Sequence, residues 1–200
     1  MIPSCILAGG EARRLGGKGK ALLKIADKSL LDHVIDKLES QVSSISINTR
    51  DKNNILNNKY VHIEDTIKDE GGAGPLAGIL SAIIWAKKTN PAAGYVLTVP
   101  VDCPFIPNNL VNKLYSIIID NNYDITVASS NYNIHPVIAI WSYDLLIPLE
   151  IALNNGIRKI DLFTKSFAIK PVNWDIKNFD PFFNINNAED LILANSYINS

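Results

Sequence analysis

The chain of 200 residues is 47% hydrophobic and 20% charged, which excludes a disordered or fibrous protein and fits an ordinary globular one. Its 19 basic residues nearly balance its 20 acidic ones, and a net charge of −1 argues against a dedicated nucleic-acid binder. No apolar run reaches the roughly 18 residues that a membrane-spanning helix needs, so no membrane partner is expected.

At the N-terminus, MIPSCILAGG has neither a basic leader region nor a small-residue cleavage site, and a cytoplasmic location is expected. A first strand spans Ile2 to Leu7 and ends in Ala8-Gly9-Gly10. Ser29 and Asp32 resemble a capping box with Asp in place of Glu, ahead of a helix whose apolar residues (Leu30, Leu31, Val34, Ile35, Leu38) recur at helical spacing. Ser44 to Thr49 and Tyr60 to Glu64 read as further strands. Pro75 opens an apolar helix after the glycine-rich Glu70 to Gly74. Tyr95 to Val99, without charge, reads as a central parallel strand that runs into the proline-punctuated loop PVDCPFIP. A helix from Asn108 to Ile119 follows, then strands at Asp124 to Ala128 and Val137 to Trp141. The last third reads as helices around Asp144 to Leu153 and Arg158 to Lys165, a strand at Phe167 to Val172, and a final helix from Ala188.

Strands alternating with helices predict an α/β fold with a mostly parallel sheet, at a size that buries roughly 70% of the unfolded surface in one domain. Ligands of such sheets bind beyond the carboxyl ends of the strands. Leu7 to Gly10, Asn48, Glu64-Asp65 and Val101-Asp102 sit at those ends, so one crevice should hold all four.

The strongest local signal is LAGGEARRLGGKGK, Leu7 to Lys20. Between Glu11 and Lys24 the charge is +4 in a chain whose total is −1. Glycine-rich backbone with concentrated Arg and Lys suits a triphosphate. A P-loop is ruled out because Lys18 is followed by Gly19, and the dinucleotide fingerprint is absent because Gly17-Lys18-Gly19 is followed three residues on by Leu22. Asp102, after an apolar strand and between Pro100 and Pro104, suits a hard cation such as Mg²⁺ that takes its other ligands from phosphate and water. Asp65 either ligates through water or binds a ribose hydroxyl. No nucleophile constellation stands out. Cys5 and Cys103 suggest neither a metal site nor a disulfide, Cys103 reads as a small buried hydrophobe, and His33 and His62 read as structural.

These residues carry a resemblance. LAGG-x-x-x-R-x-GG-x-x-K, GPLAGI at Gly74 to Ile79, VDCPFIP, His135-Pro136 and FFNINNAEDL at Phe182 to Leu191 resemble the molybdenum cofactor guanylyltransferase (MobA) family nearly end to end. The resemblance implies a Rossmann-like three-layer α/β/α nucleotidyltransferase fold, with about 1–105 as a nucleotide-binding half and about 106–200 as a pterin-substrate half. It implies GTP and molybdopterin as substrates, Mg²⁺ as cofactor, and delivery and molybdoenzyme-maturation proteins as partners. Leu7, Ala8, Gly9 and Gly10 are then expected to hold the nucleotide, with Asn48 and Asp65 on the nucleoside. Arg14 and Lys20 face the triphosphate and Asp102 the nucleotide and metal, as the catalytic set. His135, Arg158, Asn184 and Asn186 fall on the pterin side. A CTP-using or sugar-phosphate transferase and a non-catalytic nucleotide-binding module are the alternatives. One departure stands out: Gly19 replaces the Asp that usually precedes the motif lysine.

Overall fold

The computed structural model describes residues 1–9, 19–49, 59–67 and 74–198. β1 (Ser4–Leu7) is central because its side chains are apolar or small on both faces; Cys5 and Ile6 are wholly buried. It pairs in parallel with β4 (Ile45–Asn48) on one side and β6 (Tyr95–Pro100) on the other, which sets Leu7 opposite both Asn48 and Pro100. β5 (Val61–Ile63) adds to β4 in parallel. Beyond β6 lie β8 (Asn133–Ser142), β7 (Ile125–Ser130) and β9 (Ile169–Trp174), giving the order β5-β4-β1-β6-β8-β7-β9. Only β8 runs antiparallel to its neighbours, so the sheet is mostly parallel as expected. Strand order reverses between β1 and β6, and there a crevice opens above the strand ends.

Helices cover both faces, and the period-2 alternation of the strands divides the core accordingly. Ile6 and Leu97 face α1 (Leu30–Leu38) and α3 (Leu110–Asn121). Cys5 and Val96 face α2 (Gly74–Thr89), α4 (Leu146–Asn154) and α5 (Ile160–Thr164). At the start of α1 the Ser29 hydroxyl accepts the Asp32 N–H at 3.1 Å, the N-cap half of a capping box, and donates to the Asp32 carboxylate at 2.6 Å. Among the described residues no helix is long and apolar enough to cross a membrane.

Two features depart from the sequence reading. The segment Val137 to Trp141 is the inner half of a longer strand that forms a hairpin with β7 through Asn131 and Tyr132, both left-handed at φ 44° and 65°. Pro136 cannot donate to the ladder, and the register shifts between Val127 and Ser129 on the partner strand, which interrupts the pattern that marks a strand. The second feature is a small ribbon of β2 (Lys24–Ile25) and β3 (Lys28–Ser29), too short to leave a periodicity. Ile25 and Leu30 pack with Ile185 and Ala194 in a separate apolar cluster, and the Ala26 N–H donates to Asn195 in α6 (Ala188–Ile198). The chain just after Lys20 is thereby anchored on the C-terminal segment.

Candidate functional site

The crevice is a cavity of about 450 Å³. Leu7, Gly9, Asn48, Asp65 and Asp102 all line it, so the strand ends picked out from sequence do converge. Ala8 lies buried beneath, its N–H donating to the Asn48 carbonyl at 2.8 Å. Gly10 and Arg14 lie outside the described residues. Asn48, the last residue of β4, donates from Nδ2 to Asp65 Oδ1 at 3.0 Å.

Asp102 lies two residues past the end of β6, and its carboxylate meets Lys20, 82 residues distant in sequence, at 2.7 Å. The two side chains are only 13% and 14% exposed, well shielded compared with a surface ion pair. Lys20 also donates to Asn186 Oδ1 at 2.8 Å, and the Asp102 carbonyl accepts the Ile185 N–H at 2.9 Å. The N-x-N segment is thus stitched to the end of β6. It is held in place by reciprocal Asn187–Asp190 bonds that cap α6. The sequence reading grouped Asn184 and Asn186, but the structure separates them: Asn184 lines the cavity and Asn186 turns to Lys20. At Gly19 a Cβ would meet nothing within 4 Å among the described residues, so crowding by them does not explain the glycine that precedes the lysine.

The opposite wall is β8, through residues 134–138. His135 lies there, its ring centroid 4.9 Å from that of Phe182 and its Nε2 2.7 Å from Ser130 Oγ. Burial holds its pKa below the ordinary imidazole value, against the opposing pull of Asp180. Cys103 also lines the cavity, yet it is 2% exposed with its thiol against the Phe182 carbonyl. Burial, and then the charge of Asp102, push its pKa up, so sulfur stays a thiol. Arg158 stands apart from this cavity. It donates to the Leu153 and Ile157 carbonyls at the end of α4 and, with Lys159, edges an adjoining apolar cavity of about 760 Å³. The two cavities share Pro75, Ile134, Pro136 and Val137 as a common wall.

Three residues in or beside the site were given no role of their own in the sequence reading, although the first lies inside the GPLAGI motif. Gly78, in α2, faces the cavity with Asn48 Oδ1 3.0 Å and Leu7 Cδ2 3.2 Å from where a Cβ would sit. The other two, Ser130 and Asp180, are joined by a 2.8 Å hydrogen bond. In sequence Gly78 is one small residue in an apolar helix. Ser130 and Asp180, 50 residues apart, carry no spacing signal at all.

Among the described residues no group of three or more His, Cys, Asp or Glu side chains gathers as a metal site. The donor set instead fits a hard cation that takes one or two carboxylates and completes its shell with phosphate and water, because Asp102 and Asp65 line the same cavity.

In sequence and in fold the chain is similar to known proteins. Residues 4–165 match the family model described as a MobA-like NTP transferase domain. The chain is 41% identical over 194 residues to the molybdenum cofactor guanylyltransferase of Rhodopseudomonas palustris (strain BisB5), covering 96% of this chain and 91% of that protein. The crystal structure of molybdopterin-guanine dinucleotide biosynthesis protein A from Archaeoglobus fulgidus superposes with a TM-score of 0.77 at 25% identity, covering 99% of each chain. The 2-C-methyl-D-erythritol 4-phosphate cytidylyltransferase of Thermus thermophilus shares the fold alone, with a TM-score of 0.72 at 14% identity over the full length of both.

Proposed function

The chain belongs to the MobA-like NTP transferase family, and from that membership we propose that it transfers GMP from GTP to molybdopterin, forming the guanine dinucleotide cofactor and releasing pyrophosphate. It is a nucleotidyltransferase. The observation that carries the specific reading is the meeting of Lys20 and Asp102 beside the cavity at the reversal of strand order.

A terminal phosphate oxygen of molybdopterin attacks the α-phosphorus of GTP. A new P–O–P link forms, and the bond to the bridging oxygen breaks, its electron pair leaving with pyrophosphate. A phosphate monoester, with a second pKa of about 6, is already an anionic nucleophile near neutral pH, so no strong base is needed. The obstacle is repulsion between anions. Lys20, with Arg14 from outside the described residues, offsets it at the triphosphate. Leu7, Ala8, Gly9 and Gly10 hold the nucleotide against the end of β1, and Asn48 with Asp65 receive the nucleoside. His135 and Asn184 seat the pterin on the β8 side, with Arg158 and Asn186 at its margins; residues about 1–105 serve the nucleotide and about 106–200 the acceptor. Nucleotidyltransferases of this kind use a divalent metal; Asp102 is the residue to hold Mg²⁺, which when bound neutralises phosphate charge.

Both cysteines are free and buried, which fits a reducing cytoplasm, where molybdopterin-delivery and molybdoenzyme-maturation proteins are the partners. The test of the reaction is incubation with molybdopterin and each of the four nucleoside triphosphates. GTP alone should yield dinucleotide and stoichiometric pyrophosphate; efficient use of CTP in its place contradicts the guanine assignment.

Two expectations arise from the cavity walls. In Gly78→Ala the new methyl displaces the Asn48 amide and weakens its bond to Asp65, and the KM for GTP should rise about tenfold with kcat little changed. An unaltered KM in steady-state assays contradicts the nucleoside role of Asn48. Cys103→Ser should keep kcat within about twofold, because the thiol is a buried packing group. Abolished turnover in that folded variant identifies sulfur as a nucleophile instead.

A further inference from the structure

Three separate segments converge on one hydroxyl. Ser130, the last residue of β7, has its Oγ 2.7 Å from Nε2 of His135 in β8 and 2.8 Å from Oδ2 of Asp180, in the loop before Phe182. The other carboxylate oxygen, Oδ1, accepts the Phe182 N–H at 2.8 Å. A serine hydroxyl has one proton to donate, and a carboxylate can only accept. The Ser130 proton therefore goes to Asp180, and the Ser130 oxygen must receive its other hydrogen bond from His135 Nε2–H. A neutral imidazole then carries its lone pair on Nδ1, which makes no hydrogen bond among the described residues. Burial of the ring favours that neutral form. Packing against Phe182 restrains the ring plane, and His135 lines the cavity, so Nδ1 is the ring nitrogen left for a ligand.

We propose that Ser130 and Asp180 are positioning residues that lock His135 in its Nε2–H tautomer, so that Nδ1 is a fixed hydrogen-bond acceptor for an N–H donor of the pterin substrate. The inference rests on the proposed seat of the pterin against His135. It assigns specificity to hydrogen-bond polarity: a heterocycle offering a lone pair at that point is rejected, because its acceptor faces another acceptor.

Asp180→Asn tests this with little change of shape. The Phe182 N–H still requires an oxygen, so the amide places Oδ1 there and turns its NH₂ toward Ser130. Ser130 then accepts from Asn and gives its own proton to His135 Nε2, which moves the ring proton to Nδ1. Imidazole ¹⁵N–¹H correlation spectra of the full chain report the tautomer directly, with His33 and His62 as internal references. The expected result is Nε2–H in the parent protein and Nδ1–H in Asp180→Asn. In the same variant the KM for molybdopterin should rise about tenfold, while kcat and the KM for GTP stay within about twofold. Ser130→Ala, which keeps the Phe182 bond, should lose the single-tautomer signature. A parent ring protonated at Nδ1, or an unchanged tautomer in Asp180→Asn, overturns the inference. An inverted tautomer with an unchanged molybdopterin KM overturns the substrate contact. Absence of GMP transfer in the parent protein refutes the proposed reaction instead, and the spectra still decide the lock.

Discussion

Asp102→Asn should lower the rate of GMP transfer by about two to three orders of magnitude, the usual scale for losing one key electrostatic group in an active site. The asparagine keeps the shape of the side chain and an oxygen for Lys20, and the Ile185 N–H is unaffected because it bonds the backbone carbonyl. Only the negative charge goes. Asp102→Ala should be equally inactive but less stable, since it leaves the well-shielded Lys20 ammonium with Asn186 alone. The thermal midpoint separates the two effects: lowered slightly in the asparagine variant, which keeps a hydrogen-bond partner for Lys20 but not its counter-charge, and lowered further in the alanine variant. Turnover near the parent level in a folded Asp102→Asn protein contradicts the role given to this carboxylate.

Lys20→Ala should raise the KM for GTP about tenfold and lower kcat by about two orders of magnitude, because the proposed mechanism sets the same ammonium against the triphosphate in the ground state and the departing pyrophosphate in the transition state. In the structure that ammonium pairs with Asp102 at 2.7 Å. On the proposed mechanism nucleotide and lysine exchange partners: phosphate takes the ammonium, and the carboxylate is released. Removing Lys20 clears the carboxylate in advance, so Mn²⁺ titrated into the nucleotide-free variant should bind more tightly than to the parent chain. GTP affinity that survives the substitution unchanged, measured by calorimetry, contradicts the account of the loop.

Why some of this was readable from sequence and some not follows from the range of the signals. The strand ends at Leu7, Asn48, Asp65 and Asp102 could be placed in one crevice because each ends or closely follows a segment read as a strand, and parallel strands leave their carboxyl ends on one edge. The Ser29–Asp32 cap and the apolar stripe of α1 are likewise local patterns. The β2–β3 ribbon is only two residues wide on each side and turns through Ala26 and Asp27, both at positive φ, without the glycine that usually marks such a turn. Pro136 hid the outer half of β8 for the reason already given. The partner of Lys20 among the asparagines was legible as a motif but not as a direction, because Ile185 is drawn into the apolar cluster with Ile25 and so sets which way Asn184 and Asn186 turn. The Ser130–His135–Asp180 group is a product of tertiary folding alone.

The most direct measurement is a crystal structure of the protein with a non-hydrolysable GTP analogue and Mg²⁺. The account predicts guanosine against Asn48 and Asp65, phosphates beside Gly9, Lys20 moved from Asp102 onto the triphosphate, and the ion on the freed carboxylate. Nucleotide bound elsewhere on the molecule, or seated in the cavity with the Lys20–Asp102 pair intact, would contradict it.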